Sequence, residues 1–282
     1  MPKRDDPNMA ESHKADDRSF PDAVSGEDRV LSRSSKSKPA GGSRKAKSAS
    51  GRRPKRGRRW FIRIFFALIA IALVPVGLTA LALVPQVHPV STLMIADLLR
   101  LKGYEREWVS LDEMAPVLPR SVMMSEDGQF CRHYGVDLGE LKVVVEDALD
   151  GEKTRGASTI PMQLVKNLFL WPSRSFVRKG IEIPYAVSMN AILPKRRIME
   201  IYLNVVELGD GIYGVEAASQ HYFGRSAAKL SAEQAARLAA TLPNPAERNP
   251  EAGGPGTRKL ARLIQRRAAK SGAYTKCLEL SN

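Results

Sequence analysis

The chain changes character twice along its length. Up to residue 59, apolar positions are scattered without period among Ser, Lys, Arg, Asp, Gly and Pro, and residues 64–84 are then 21 in a row without a charge. From Thr92 onward apolar residues recur at helical spacing. The first segment, 1–59, cannot bury enough apolar surface to offset chain entropy and is expected to be disordered. The second, 60–85 with its flanks, reaches ~30 Å as a helix, the depth of a bilayer core. Pro75 and Gly77 within it are tolerated by membrane helices. A short stalk, 85–91, leads into a single mostly α-helical domain over 92–270, with no internal repeat and almost no strand-like alternation.

Several helix starts are legible within that domain. Ser110 with Glu113, Asp137 with Glu140, and Ser231 with Gln234 have the spacing of capping boxes. The second opens a helix with Leu138, Leu141, Val145 and Leu149 near one face, and the third opens one that stops before Pro243. Ser158 is expected to cap a short helix through Lys166, with Pro161 tolerated in its first turn. Ser175 should cap a helix from Phe176 to Leu193, which Pro184 should kink or split. Pro194 suits the first turn of the next helix, ending near Leu203.

Charge sharpens the topology. The net charge of +14 suggests nucleic acid until it is located. Residues 29–63 hold 14 Lys/Arg and no Asp or Glu, and the remainder, with 30 basic and 30 acidic residues, is neutral. A basic tract without interleaved aromatics or a recognition fold is not a nucleic-acid site. Placed before the apolar run, it keeps the N-terminus in the cytoplasm, sends the domain across the membrane and lies on anionic lipid. A cleaved signal peptide is disfavoured by the length of the run, its late start and the lack of a small-x-small cleavage site. The basic flank argues against a core helix of a soluble protein. Cys131 and Cys277 would meet an oxidising compartment, yet their separation and the lack of a framework favour two unpaired structural thiols over a disulfide.

Candidate chemistry gathers in residues 126–204. A sugar hydroxyl is too weak an acid to ionise near neutral pH, so bond formation from its oxygen needs a carboxylate to take the proton. Glu126 follows the apolar-leaning stretch 121–125, which would partly bury it and raise its basicity. Asp127 is open between chemistry and holding the local backbone or a cation. His133 reads as a hydrogen-bonded structural imidazole. Lys166, Arg174, Arg178 and Lys179 fall close to Ser158, Thr159, Gln163 and Asn167, and such a group would hold a diphosphate and stabilise the charge that grows as it departs. There is no glycine-rich nucleotide loop, so a nucleoside triphosphate is not implied.

Residues 125–135, SEDGQFCRHYG, resemble the first signature of the peptidoglycan glycosyltransferases, E-D-x-x-F-x-x-H-x-G. Residues 156–170, GASTIPMQLVKNLFL, resemble their second, G-x-S-T-I-x-Q-Q-x-x-K-N. RKGIE at 178–182, KRRIMEIYLN at 195–204, and GVEAA with YFG at 214–224 continue the series in order. The resemblance spans roughly 111–250 and is nearest to the monofunctional biosynthetic peptidoglycan transglycosylases. It implies a lysozyme-like helical fold behind one transmembrane helix, with a membrane-dipping lobe. The implied reaction joins lipid II, a disaccharide-pentapeptide on undecaprenyl pyrophosphate, into β-1,4 glycan by one inverting displacement.

On this chain the resemblance implies Glu126 as general base and Glu182 as the second motif carboxylate, orienting cations or a divalent metal (Mg or Mn) near the diphosphate. No cofactor is otherwise required. Lys166 and Arg174 would bind the donor diphosphate, supported by Arg178 and Lys179. Asp127, Phe130, Ser158, Thr159, Gln163 and Asn167 would complete the substrate contacts, and residues 195–204 would be scaffold. Met162 stands where the family has its first glutamine, preceded by Pro161, so one amide contact is expected to be missing. The ~30 residues after Pro250 leave no room for a transpeptidase domain. Lipid II, the glycan strand and membrane lipid are the implied partners, with cell-division or transpeptidase proteins beside them. A lytic transglycosylase or muramidase is disfavoured because cleaving a neutral glycosidic bond needs no diphosphate cradle. A non-catalytic lipid II-binding scaffold is disfavoured by intact Glu126 and Glu182.

Overall fold

The computed structural model describes residues 56–150, 156, 158–173 and 175–280, all within one compact unit spanning Pro54–Asn282. The expected disorder of residues 1–55 lies outside the described residues, as does Arg174.

Helix α1 is Arg56–Leu81, so residues 56–59, assigned above to the disordered tail, are helical. Pro54 is the last helix breaker before them, and arginine is a good helix former. The large apolar side chains of α1 face outward, Phe61 and Ile71 being 72% and 67% exposed. Among the described residues it is the one helix long and apolar enough to cross a membrane, and it is compatible with membrane anchoring. Thr79 Oγ1 donates back to the carbonyl of Pro75, one turn earlier, at 2.8 Å.

The segment expected to be a stalk is gripped by the domain. Helix α2 is Thr92–Leu99, α3 Val117–Glu126, α4 Leu138–Leu149, α5 Ile160–Phe169, α6 Phe176–Ile192 and α7 Lys195–Val205. Arg197 of α7 donates to the carbonyls of Ala82, Val84, Pro85 and Val87, the closest at 2.7 Å. Its guanidinium lies 5.4 Å from the centre of the Trp108 ring, which stacks on His88. Higher up, Tyr185 of α6 donates its hydroxyl to Ala72 of α1 at 2.7 Å.

Helix α7 forms the centre of the core. Ile198, Met199, Ile201, Tyr202 and Leu203 are fully buried, and Asn204 bonds both backbone groups of Val109. Around it pack α5 and α8 (Val215–Phe223), and on α8 lies a small sheet of β1 (Glu105–Arg106), β2 (Glu207–Gly209) and β3 (Ile212–Tyr213). The order is β1-β3-β2, parallel then antiparallel. Strands of two or three residues carry no alternation, which is why the sheet is invisible in the hydropathy pattern. Helices α9 (Ala232–Thr241) and α10 (Pro255–Ala269) pack on α3 and on each other.

The capping expectations meet mixed outcomes. Ser231 and Gln234 form the box that opens α9, Asp137 accepts from the N–H groups of Gly139 and Glu140 at α4, and Ser175 caps α6. The Ser110–Glu113 box frames only a single 3₁₀ turn, Leu111–Glu113. Thr159, not Ser158, caps α5, because its hydroxyl accepts from Met162 N–H while donating to the Gly135 carbonyl. Pro194 is the cap of α7, one position earlier than expected. Pro184 does not split α6: its face is exposed, and Glu182, Ala186 and Met189 are buried on either side of it. Leu138, expected to lie on an apolar helix face, is 73% exposed.

Cys131 and Cys277 are joined in a disulfide, which corrects the expectation of two free thiols. Their 146-residue separation carried no information, since packing of the C-terminal segment against the α3 loop brings their Cα atoms to 5.5 Å. Replacing both by serine should lower unfolding stability by ~2–5 kcal/mol, given so long a closed loop. Chemical denaturation of oxidised protein against the double variant measures it; equal midpoints would leave the bond without a stabilising role.

Candidate active site

Two structural contacts fix where the site lies. The loop after α3 turns at Gly135, whose φ of +93° suits glycine and whose Cβ, if present, would run into the Ala186 carbonyl of α6. Asp127 then ties this loop to α5: its carboxylate accepts from Ile160 N–H at 2.9 Å and sits 2.9 Å from His133 Nε2. His133 Nδ1 accepts in turn from Gly135 N–H, which places the ring proton on Nε2, facing Asp127. The end of α3, the start of α5 and the middle of α6 are thereby held around one cleft.

Glu126, the last residue of α3, enters that cleft. Ser125 Oγ donates to one carboxylate oxygen at 3.0 Å and Gln163 Nε2 to the other at 3.1 Å. Burial raises its pKa against those two hydrogen bonds, so it is a stronger base than an ordinary carboxylate. Gln163 is itself aimed: its Oε1 accepts from the hydroxyl of Tyr202, a completely buried side chain of α7. Tyr202 fixes which end of the Gln163 amide faces Glu126. Tyr202→Phe should cost roughly tenfold in turnover through one unpaired buried acceptor. It should also move the acid limb of the rate profile to higher pH, because the Gln163 bond holds the Glu126 pKa down. An unmoved acid limb would leave Tyr202 as packing alone.

The cations gather beside this carboxylate. Lys179 Nζ donates to Ser158 Oγ and lies 3.0 Å from one oxygen of Glu182, while Arg178 binds the other. Glu182 is 1% exposed, so a single buried carboxylate is shared between two cations. Burial, with Arg178 and Lys166 nearby, outweighs that half-share and pushes Lys179 down to about 8. Lys166 is lowered by burial and by Arg178, against the attraction of Glu126 and Glu207, and no ion pair among the described residues neutralises it. Lys166, Asn167 and Arg178 line a cavity of about 370 Å³, and Glu126, Ser158 and Thr159 line another of about 380 Å³.

Several sequence expectations change in detail. Phe130 is fully buried beneath the Lys195 ammonium and offers no surface to a ligand. Asp127 and Thr159 are 7% and 3% exposed and line the Glu126 cavity, with polar atoms bonded to the loop and the α5 cap. Gln163 positions Glu126, a role hidden from motif reading, as was Tyr202. Met162 is completely buried, which makes the missing amide a core side chain. Both oxygens of Glu182 already face cations, and no group of three or more metal-binding side chains occurs among the described residues.

Comparison with known proteins accords with this arrangement. A protein of Mesorhizobium japonicum named biosynthetic peptidoglycan transglycosylase is 62% identical over 224 residues, covering 79% of this chain and 94% of the relative. One of the same name from Rhizobium meliloti is 58% identical over 227 residues, covering 80% and 95%. Another from Brucella suis is 55% identical over 223 residues, covering 78% and 100%. The Transglycosylase family pattern matches residues 93–269, so by both measures this chain belongs to the Transglycosylase family.

Proposed function

We propose that the chain polymerises lipid II into β-1,4-linked glycan and releases undecaprenyl diphosphate. One observation carries the reading: a half-buried carboxylate, Glu126, and a half-buried ammonium, Lys166, feel each other's charge, and each lines a cavity without an ion-pair partner among the described residues. Such opposed groups, neither held in an ion pair among the described residues, suit a reaction that releases a proton at one end and an anion at the other.

In the proposed step the acceptor 4-hydroxyl gives its proton to Glu126 while its oxygen bonds to C1 of the donor sugar. The C1–O bond to the diphosphate breaks on the opposite face, and its electron pair leaves with the diphosphate. Lys166, Arg178 and Lys179 stabilise that charge, with Glu182 holding the last two in place. Configuration inverts in a single displacement, with no carboxylate acting as nucleophile. Arg174, which falls between the second signature and RKGIE, belongs to the proposed cation set by the resemblance. We place the catalytic domain outside the cytoplasmic membrane and the N-terminal tract inside, from the basic flank of α1. Val177 and Val187, exposed on the helix that carries α1, suit contact with the bilayer.

Supplying the protein in detergent with labelled lipid II, and separately with finished glycan, tests the proposal. Lengthening strands from the first and no cleavage of the second are expected; the reverse pattern would make the enzyme a muramidase. The kcat/KM profile should be bell-shaped. Rate rises as Glu126 loses its proton above the ordinary carboxylate range and falls as Lys179 loses its charge near about pH 8. A profile without an acid limb above the ordinary carboxylate range would contradict the Glu126 assignment, and one without a fall near about pH 8 would contradict that of Lys179.

A further inference from the structure

We propose that a cationic groove beside the catalytic cleft guides the departing glycan strand by binding the carboxylates of its peptide stems; this rests on the polymerase reading above. Helix α10 and the residue after it carry Arg258, Lys259, Arg262, Arg266, Arg267 and Lys270, with no acidic residue. Its Ala261, Ile264 and Ala268 face is buried, while these cations are exposed. At its C-terminal end lies a groove of about 380 Å³ lined by Arg266, Arg267, Lys270, Tyr274 and the apolar Met124 and Leu263. Met124 and Arg267 also line the cavity that holds Glu126, so groove and cleft share a wall.

Arg132, from the loop after α3, reaches the same place and lies over the Tyr274 ring at 5.1 Å. Among the described residues no carboxylate forms an ion pair with Arg132, Arg266, Arg267 or Lys270. A helix C-terminus favours cations and accounts for some of these. It does not account for Arg132, which belongs to another element, nor for Arg258 and Lys259 in the first turn, where the helix dipole opposes them. The Cys131–Cys277 bond holds the two walls together, one residue from Arg132 and three from Tyr274.

The occupant follows from continuity and charge. A strand leaving the Glu126 cavity next meets Arg267, and each pentapeptide stem ends in a carboxylate that an arginine fork accepts well. The Tyr274 face and the Met124–Leu263 floor suit the apolar parts of a stem. A lipid surface fits less well, because α10 lies on α3 and α9 whereas the apolar α1 lies on α6.

Binding is measured without turnover, so failure of the polymerase reading remains distinguishable. Full-length Glu126→Gln protein in neutral-lipid nanodiscs is titrated with labelled, uncrosslinked strands bearing pentapeptide stems. Adding Arg266→Gln and Lys270→Gln should weaken strand binding about tenfold. Strands stripped of peptide should bind equally weakly with or without those two changes, and Arg266→Lys with Lys270→Arg should restore stem-dependent binding. In the active protein the Arg266→Gln/Lys270→Gln pair should leave the first coupling rate unchanged and shorten the final strands. Equal affinity for stem-bearing strands, unchanged strand length, or failure of the charge-conserving pair to restore binding overturns the proposal. So does a loss of binding confined to added phosphatidylglycerol vesicles, which would make the groove a lipid site.

Discussion

Glu126→Gln should abolish strand synthesis, lowering turnover by ~10²–10⁴-fold, the usual contribution of a positioned proton acceptor. The amide keeps the size of the carboxylate and its contacts with Ser125 and Gln163, but cannot take a proton from the acceptor hydroxyl. Stability should move the other way. An acid whose folded pKa is raised contributes stability below its unfolded value and loses it as pH rises through the folded value. At neutral pH the ionised Glu126 therefore burdens the fold, and the amide should melt at or above the wild-type temperature. Lipid II extension and thermal melting of both proteins decide the matter. Near-normal turnover would remove Glu126 as the base, and a collapsed melting temperature would make it a structural residue.

Lys166→Ala should cost ~2–5 kcal/mol in donor use, measured as kcat/KM at limiting lipid II. The ammonium is half-buried beside Arg178, with no ion pair among the described residues, and burial and Arg178 outweigh the attraction of Glu126 and Glu207 in the free enzyme. Bound diphosphate is its natural counter-charge. Its removal should thus spare or improve folding while disabling the donor site, the opposed effects expected where function is held at the expense of stability. An unchanged rate at limiting substrate would contradict the diphosphate role. A weaker effect than at Arg178 or Lys179 would shift the anion toward the pair held by Glu182.

How much of this was legible in the chain depended on the range of the interaction. Helix caps at Ser231 and Ser175 were readable because both partners lie within four residues. The order of Glu126, Lys166 and Glu182 along the motifs placed the chemistry, since each stands at a helix position that the fold turns toward one cleft. Which motif residues face that cleft was not readable. Phe130 and Thr159 share a signature with Glu126 and Lys166, yet one is core and the other a cap, a difference set by how α3, α5 and α6 meet. Tyr202 was assigned to scaffold, and only its orientation toward Gln163 gives it a part in positioning. The Cys131–Cys277 bond was unreadable for the same reason: it depends on the C-terminal segment closing over the loop after α3.

Arg197 has a consequence for how the enzyme meets its substrate. By clasping four carbonyls between Ala82 and Val87, where α1 leaves its helical path, it turns a leash into a mast. With α1 in the bilayer, the cleft rides at constant altitude above the lipid, and the search for precursor becomes two-dimensional.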